Sequence, residues 1–273
     1  MDLTAVLQQL SADPAAPLDA AEVALLLAAD EYPDLDIAGY LRQIDSLAAA
    51  VRPHLRGGLD EQARCLGTFL FDEQGFAGNA DHYYDPRNSY LNEVLDRRLG
   101  IPITLSVVAI AVGQRAGLLV EGVALPGHFI VQAIDGDDRV LVDPFHGGRL
   151  LTRTACERLV RSVTGHSFSL TAAALAAPPL GAIVMRMLNN LKQIYSQAQD
   201  TERTIRVIER QRQLAPQDAE LRRDLGVTLV QANRFGPAID HLKAYLETVP
   251  EADDSAEVQA LLQRVRAEVA KWN

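Results

Sequence analysis

The sequence is short of cysteine: Cys65 and Cys156 are the two in 273 residues. That excludes a disulfide scaffold and a cysteine-rich zinc site. It is also short of positive charge, with 26 Lys and Arg against 36 Asp and Glu, a formal net charge of −10. So acidic a chain argues against non-specific nucleic-acid binding, which needs cations to displace the counterions of the phosphate backbone. The opening Met1-Asp2-Leu3-Thr4 has no basic region followed by an apolar one, so no secretory signal is expected. The apolar stretch from Leu170 to Met185 contains Pro178-Pro179 and is shorter than a spanning helix requires, so no membrane segment is expected. These absences predict a soluble, cytoplasmic protein. With 48% hydrophobic and 23% charged residues, the composition is that of a globular chain and excludes extensive disorder. The length suits one large domain or two modest ones.

The segment up to about Gly58 reads as helical. Ile37, Leu41, Ile44, Leu47 and Val51 recur at helical spacing, with Asp34 and Asp36 placed to cap the run and Pro53 and Gly57-Gly58 to end it. A second helix is expected from Leu59 to Phe71, carrying Cys65. The middle segment opens on a Gly/Asn-rich loop. Asp85 is then placed to cap a helix with Pro86 at its first position; Tyr90, Leu91, Val94 and Leu95 form its apolar face and Gly100 ends it. Another helix, apolar on nearly all sides and therefore buried, is expected from Pro102 to Gly117. Strands are expected over Val120–Leu125, Phe129–Ile134 and Arg139–Val142, the last two joined by a hairpin turn at Asp135-Gly136-Asp137-Asp138.

After an Ala/Leu/Pro-rich connection over 167–182, the pattern is helical to the end and repeats with a period of 34. Leu225-Gly226, Leu229, Ala238, Leu242 and Pro250 match Leu191-Lys192, Tyr195, Thr204, Ile208 and Pro216, the spacing of a tetratricopeptide repeat. Leu261, Val265 and Val269 suit a capping helix. Each helix pair leaves an apolar face bare until a neighbour covers it, so this unit is expected to pack on the middle domain. The domains are expected to be 1–178 and 179–273.

For chemistry, His128 begins one strand, after Pro126-Gly127, and Asp143 ends the next, before Pro144. Antiparallel pairing would bring them together as the His and its orienting carboxylate in a cysteine hydrolase. Taken alone, this spacing fits a surface His and a turn-forming Asp-Pro equally well.

Gly100-Ile101-Pro102, the buried helix, Gly117-Leu118, Pro126-Gly127-His128-Phe129 and Asp143-Pro144 resemble the transglutaminase-like core. The strings Tyr84-Asp85-Pro86-Arg87-Asn88-Ser89-Tyr90-Leu91-Asn92-Glu93-Val94-Leu95, Arg97-Arg98-Leu99-Gly100-Ile101-Pro102-Ile103 and Asp143-Pro144-Phe145-His146-Gly147-Gly148 are similar to the SirB-type bacterial family, which joins such a core to a tetratricopeptide tail. The resemblance implies an α+β fold: a helical N-terminal segment, a transglutaminase-like (papain-like) core with a small antiparallel sheet, and an all-α C-terminal unit.

In catalytic relatives a Cys begins the core helix, where the helix N-terminus activates the thiol. In this chain that position is Pro102, a structural first residue with no nucleophile, and the SirB-type pattern itself carries Pro there. His128 and Asp143 correspond to the retained pair. The expectation is a non-catalytic protein that acts in protein or peptide binding or regulation, without cofactor, metal, nucleic acid or membrane. One alternative is a cysteine-dependent hydrolase or acyltransferase with a displaced nucleophile: Cys65 first, then Cys156, with Thr104 and Ser106 as weaker candidates. Another is a ligand or metal site in the vestigial cleft. There Arg87 would offer a planar donor, Asn88 and Asn92 lie one turn apart, and His146 would join His128 and Asp143.

Overall fold

A computed structural model describes residues 2–271. They fall into two compact units. One is Ala15–Met187; the other joins the residues up to Pro14 to those from Leu188 onward.

The first unit begins with α2 (Ala20–Ala29) and α3 (Ile37–Val51), which α1 (Leu3–Ala12) of the other unit precedes in the chain. Asp36 caps α3 by accepting a hydrogen bond from the Gly39 amide at 2.9 Å, and Ile44, Leu47 and Val51 form its buried stripe. Helix α4 (Leu59–Gly67) continues into a π-helical turn, Thr68–Glu73, that buries Phe69, Leu70 and Phe71. The single helix expected after Asp85 is instead two pieces. Asp85 caps a 3-10 turn, Pro86–Ser89; Tyr90 is then extended, and α5 (Leu91–Arg97) restarts the helix. Two-residue strands β1 (Ala77–Gly78) and β2 (Leu99–Gly100) flank this segment and pair in parallel. Helix α6 (Pro102–Ala116) starts on its proline and ends at Gly117, whose φ of +96° is left-handed. Thirteen of its fifteen residues are buried, as its all-round apolar sequence requires.

The antiparallel sheet runs β3 (Val120–Leu125), β4 (His128–Asp135), β5 (Asp138–Asp143) and β6 (Arg149–Leu151), in that order. The register pairs Val123 with Ile130 and Val131 with Val142. One sheet face carries Val120, Val131, Ala133 and Val142, which line a small cavity with Ala63, Leu66 and Ala109 of α4 and α6. The other carries Val123, Leu125, Ile130 and Leu141, packed with Cys156, Leu159 and Val160 of α7 (Arg153–Thr164) and with Leu170.

The helical unit contains α9 (Thr201–Leu214), α10 (Ala219–Gln231), α11 (Phe235–Thr248) and α12 (Ser255–Ala270); the division between units falls within α8 (Leu180–Gln197). The repeat positions Leu191, Tyr195, Thr204, Ile208, Leu225, Leu229, Ala238 and Leu242 are all buried. Gly226 is the close-packing position: a Cβ there would lie 2.8 Å from Leu242 side-chain carbons. Thr204, at the small-residue position of the first repeat, turns its hydroxyl back to the Asp200 carbonyl at 2.8 Å, which disposes of the extra polar group. In α12 the buried face is Val258, Leu262 and Val265 rather than the expected Leu261, Val265 and Val269; Leu261 packs at the edge. Among the described residues, no helix is long and apolar enough to cross a membrane.

Candidate functional site

The site sits where β4 begins and β5 ends. Because Val131 faces Val142, Ile130 faces Asp143, and His128, two residues before Ile130, lies diagonally across on the same sheet face. His128 Nε2 is 3.0 Å from Asp143 Oδ1. His128 is 4% exposed and Asp143 is fully buried. The chain then turns through the 3-10 segment Pro144–His146, which returns His146 Nδ1 to within 2.7 Å of Asp143 Oδ2. Arg149 Nη2 reaches the same oxygen at 3.4 Å from a half-exposed position. One buried carboxylate therefore holds two imidazoles. Burial pushes the Asp143 pKa up; hydrogen bonds and charge from His128 and His146 outweigh it and hold the carboxyl below its ordinary range.

The loop that carries this carboxylate is pinned. Gly147 and Gly148 are left-handed, with φ of +73° and +68°, and the Gly148 amide donates to the Asp143 carbonyl at 2.9 Å. A Cβ on Gly148 would lie 2.3 Å from the Phe71 ring. Arg186, not singled out from the sequence, fixes the other side. It donates from Nη1 to the Leu125 carbonyl (3.1 Å) and from Nη2 to the His128 carbonyl (2.8 Å), and its guanidinium lies over the Phe129 ring. Its one visible signal is a lone charge within the apolar run Ile183-Val184-Met185-Arg186-Met187-Leu188. Phe145 packs edge-on to both His128 and Tyr83, roofing the pair with aromatic surface.

The other candidates lie as follows. Pro102 is the first residue of α6, and α6 packs against β4 and the Pro144–His146 turn. Thr104 caps that helix from within: its Oγ1 accepts from the Ile101 amide and donates to the Asn88 carbonyl. Ser106 is fully buried, and its hydroxyl has no partner among the described residues. The Arg87 guanidinium is engaged by Asp85, through Nε and Nη2 at 2.7–3.1 Å. Asn88 is buried in a structural network, accepting from Asn79 Nδ2 and donating to the His82 and Tyr83 carbonyls. Asn92 is buried with Oδ1 unpartnered among the described residues.

The surroundings of both thiols raise their pKa values. Cys65 donates to the His54 carbonyl at 3.4 Å, and burial, then the Glu73 charge, raises its pKa. It lines a groove with His54, Arg64 and Glu73, and His128 is not among the residues of that groove. Cys156 shares the sheet face of Ile130 and Leu141, but it is fully buried and pushed up to about 11 by burial and then by the Asp143 charge.

Fold and site together define a transglutaminase-like core joined to a tetratricopeptide unit. Comparison with known proteins agrees: residues 38–189 match the transglutaminase-like superfamily, and residues 191–263 match a tetratricopeptide repeat. A UPF0162 protein of Xylella fastidiosa is 37% identical over 236 residues, covering 83% of each chain. A UPF0162 protein of Pseudomonas aeruginosa is 32% identical, covering 71% of this chain and 72% of its own. Human F-box only protein 21 is 32% identical over 58% of this chain and 29% of its own length. The chain belongs to the UPF0162 family of bacterial proteins, within the transglutaminase-like superfamily.

Proposed function

We propose that this chain is a protein-binding member of the transglutaminase-like superfamily that performs no thiol chemistry, with Pro102 in the place from which the nucleophile acts in catalytic relatives. The observation that carries this reading is the pairing of a proline at the start of α6 with two thiols whose pKa values are raised. A catalytic cysteine needs partial exposure and a lowered pKa; Cys65 is part-exposed but its pKa is raised, and Cys156 meets neither condition. The protein-interaction half rests on the tetratricopeptide match, since such repeats hold peptides or partner helices on extended surfaces. The retained His128–Asp143 pair then serves the architecture of the core rather than proton transfer to a nucleophile.

The test is the rate of thiol alkylation against pH in the full chain, in His128→Ala, and in Cys65→Ser and Cys156→Ser. Slow alkylation at neutral pH, unchanged in His128→Ala, is expected. Fast alkylation of one cysteine well below the free-thiol pKa of about 8.5, abolished by His128→Ala, would sink the reading and restore a displaced nucleophile.

A further inference from the structure

We propose that His128, Asp143 and His146 form a binding site for one first-row divalent metal ion of zinc-like character. This goes beyond the protein-binding reading and does not depend on it. A His–carboxylate pair that orients a catalytic imidazole needs one histidine; here two converge on one carboxylate. Their ligand atoms all lie within 4.8 Å of one another. Two imidazole nitrogens and a carboxylate oxygen are the donor set of borderline divalent ions, and they leave positions open for water.

The geometry favours capture. A tetrahedral ion about 2.0–2.1 Å from each donor holds its ligand atoms roughly 3.4 Å apart. The His128–Asp143 contact, 3.0 Å to Oδ1, and the His146–Asp143 contact, 2.7 Å to Oδ2, open by roughly half an ångström to admit it, while the two histidine nitrogens, now within 4.8 Å of each other, draw in to roughly the same spacing. His128 and Asp143 sit on paired strands, and the His146 turn is fixed by the Gly148 amide and by the contact of Gly148 with Phe71 and Gly67. Preorganised ligands of this kind lose little freedom on binding. Access is from the His146 side, where that ring is 40% exposed. Arg149, the cation that now reaches Asp143 Oδ2, is 52% exposed and free to withdraw into solvent as the ion takes its place. The ion would compensate a fully buried carboxylate that three partial partners now share.

The experiment uses tag-free full-length protein, stripped with chelator and desalted. Zn2+ is titrated by calorimetry, and Co2+ by visible absorption as a report of coordination by nitrogen and oxygen. One ion per chain is expected. Binding should weaken at least tenfold in His146→Ala, whose side chain is part-exposed and whose loss leaves the buried pair intact, and also in Asp143→Asn. It should be unchanged in Cys65→Ser and Cys156→Ser. Absence of heat and of a Co2+ band in folded wild-type protein overturns the proposal, as does wild-type affinity in His146→Ala. If Asp143→Asn fails to fold, His146→Ala decides alone. Fast, His128-dependent alkylation in the thiol experiment would overturn the reading of the thiols and leave this result untouched, so the two readings fail separately.

Discussion

Single residues set the candidate site, and two of them make direct predictions. Gly148 holds a left-handed φ of +68° with no room for a Cβ against Phe71. Gly148→Ala therefore combines backbone strain with overpacking, and should cost about 1–3 kcal/mol in denaturant unfolding. A substitution that left the unfolding midpoint unchanged would mean the loop relaxes freely. Asp85 caps the Pro86–Ser89 turn and pairs with Arg87 and Arg97. Hydrogen bonds from Arg87 hold its carboxyl below the ordinary range, against the upward push of burial. A folded-state pKa below the unfolded one means the stabilisation is full above the unfolded pKa of about 3.9 and is lost as pH falls through the folded value. Asp85→Asn retains a capping oxygen but loses the charge. Its stability deficit against wild type should shrink as pH is lowered through 4 toward 2; a deficit constant with pH would refute the linkage. At this scale much was legible. Asp36, Pro102 and Gly117 announce caps and ends by residue type, because the physics is local. Arg186 and Arg149 were not singled out, because their partners are carbonyls and a carboxylate fixed only once the strands pair.

Elements show the same division between local and distant causes. The three sheet strands and their turn were readable because short apolar, β-branched runs and an Asp-Gly pair stand in the sequence. The two-residue strands β1 and β2 and the three-residue β6 are too short for alternation to register. They exist because neighbouring segments bring their backbones together. Helix α7 was missed for another reason. Its buried stripe is only Cys156, Leu159 and Val160 in a polar, arginine-rich stretch, so its apolar signal is thin. In the repeats, periodicity named the positions and packing explains them. Gly226 allows α10 and α11 to approach, with a hypothetical Cβ 3.2 Å from the Leu242 backbone nitrogen and 2.8 Å from its side chain. Alanine gains up to about 1 kcal/mol in helix propensity over glycine, but overpacking costs about 1–3 kcal/mol. Gly226→Ala should therefore lower the melting temperature; a rise would show that the two helices separate at little cost.

For the molecule as a whole, the least local finding is the membership of α1. Its Leu3, Val6, Leu7 and Leu10 are buried, it packs on α9, and Arg210 Nη1 lies 3.1 Å from Thr4 Oγ1, so the chain's first helix belongs with its last ones. No periodicity reports a partner some two hundred residues away, so the sequence predicts a helical N-terminal segment but not what covers α1. Leu7 is fully buried, and Leu7→Ala removes a core side chain at an expected cost of about 2–5 kcal/mol. Because the residues up to Pro14 group with those from Leu188 onward, the loss should be regional. Hydrogen exchange read by mass spectrometry should show faster exchange in peptides from α9 and α10, with α6 and β4 unchanged. Equal loosening of both units would mean that they unfold as one cooperative block. Unchanged protection in α9 would mean that the repeats close their apolar face without the N-terminal helix.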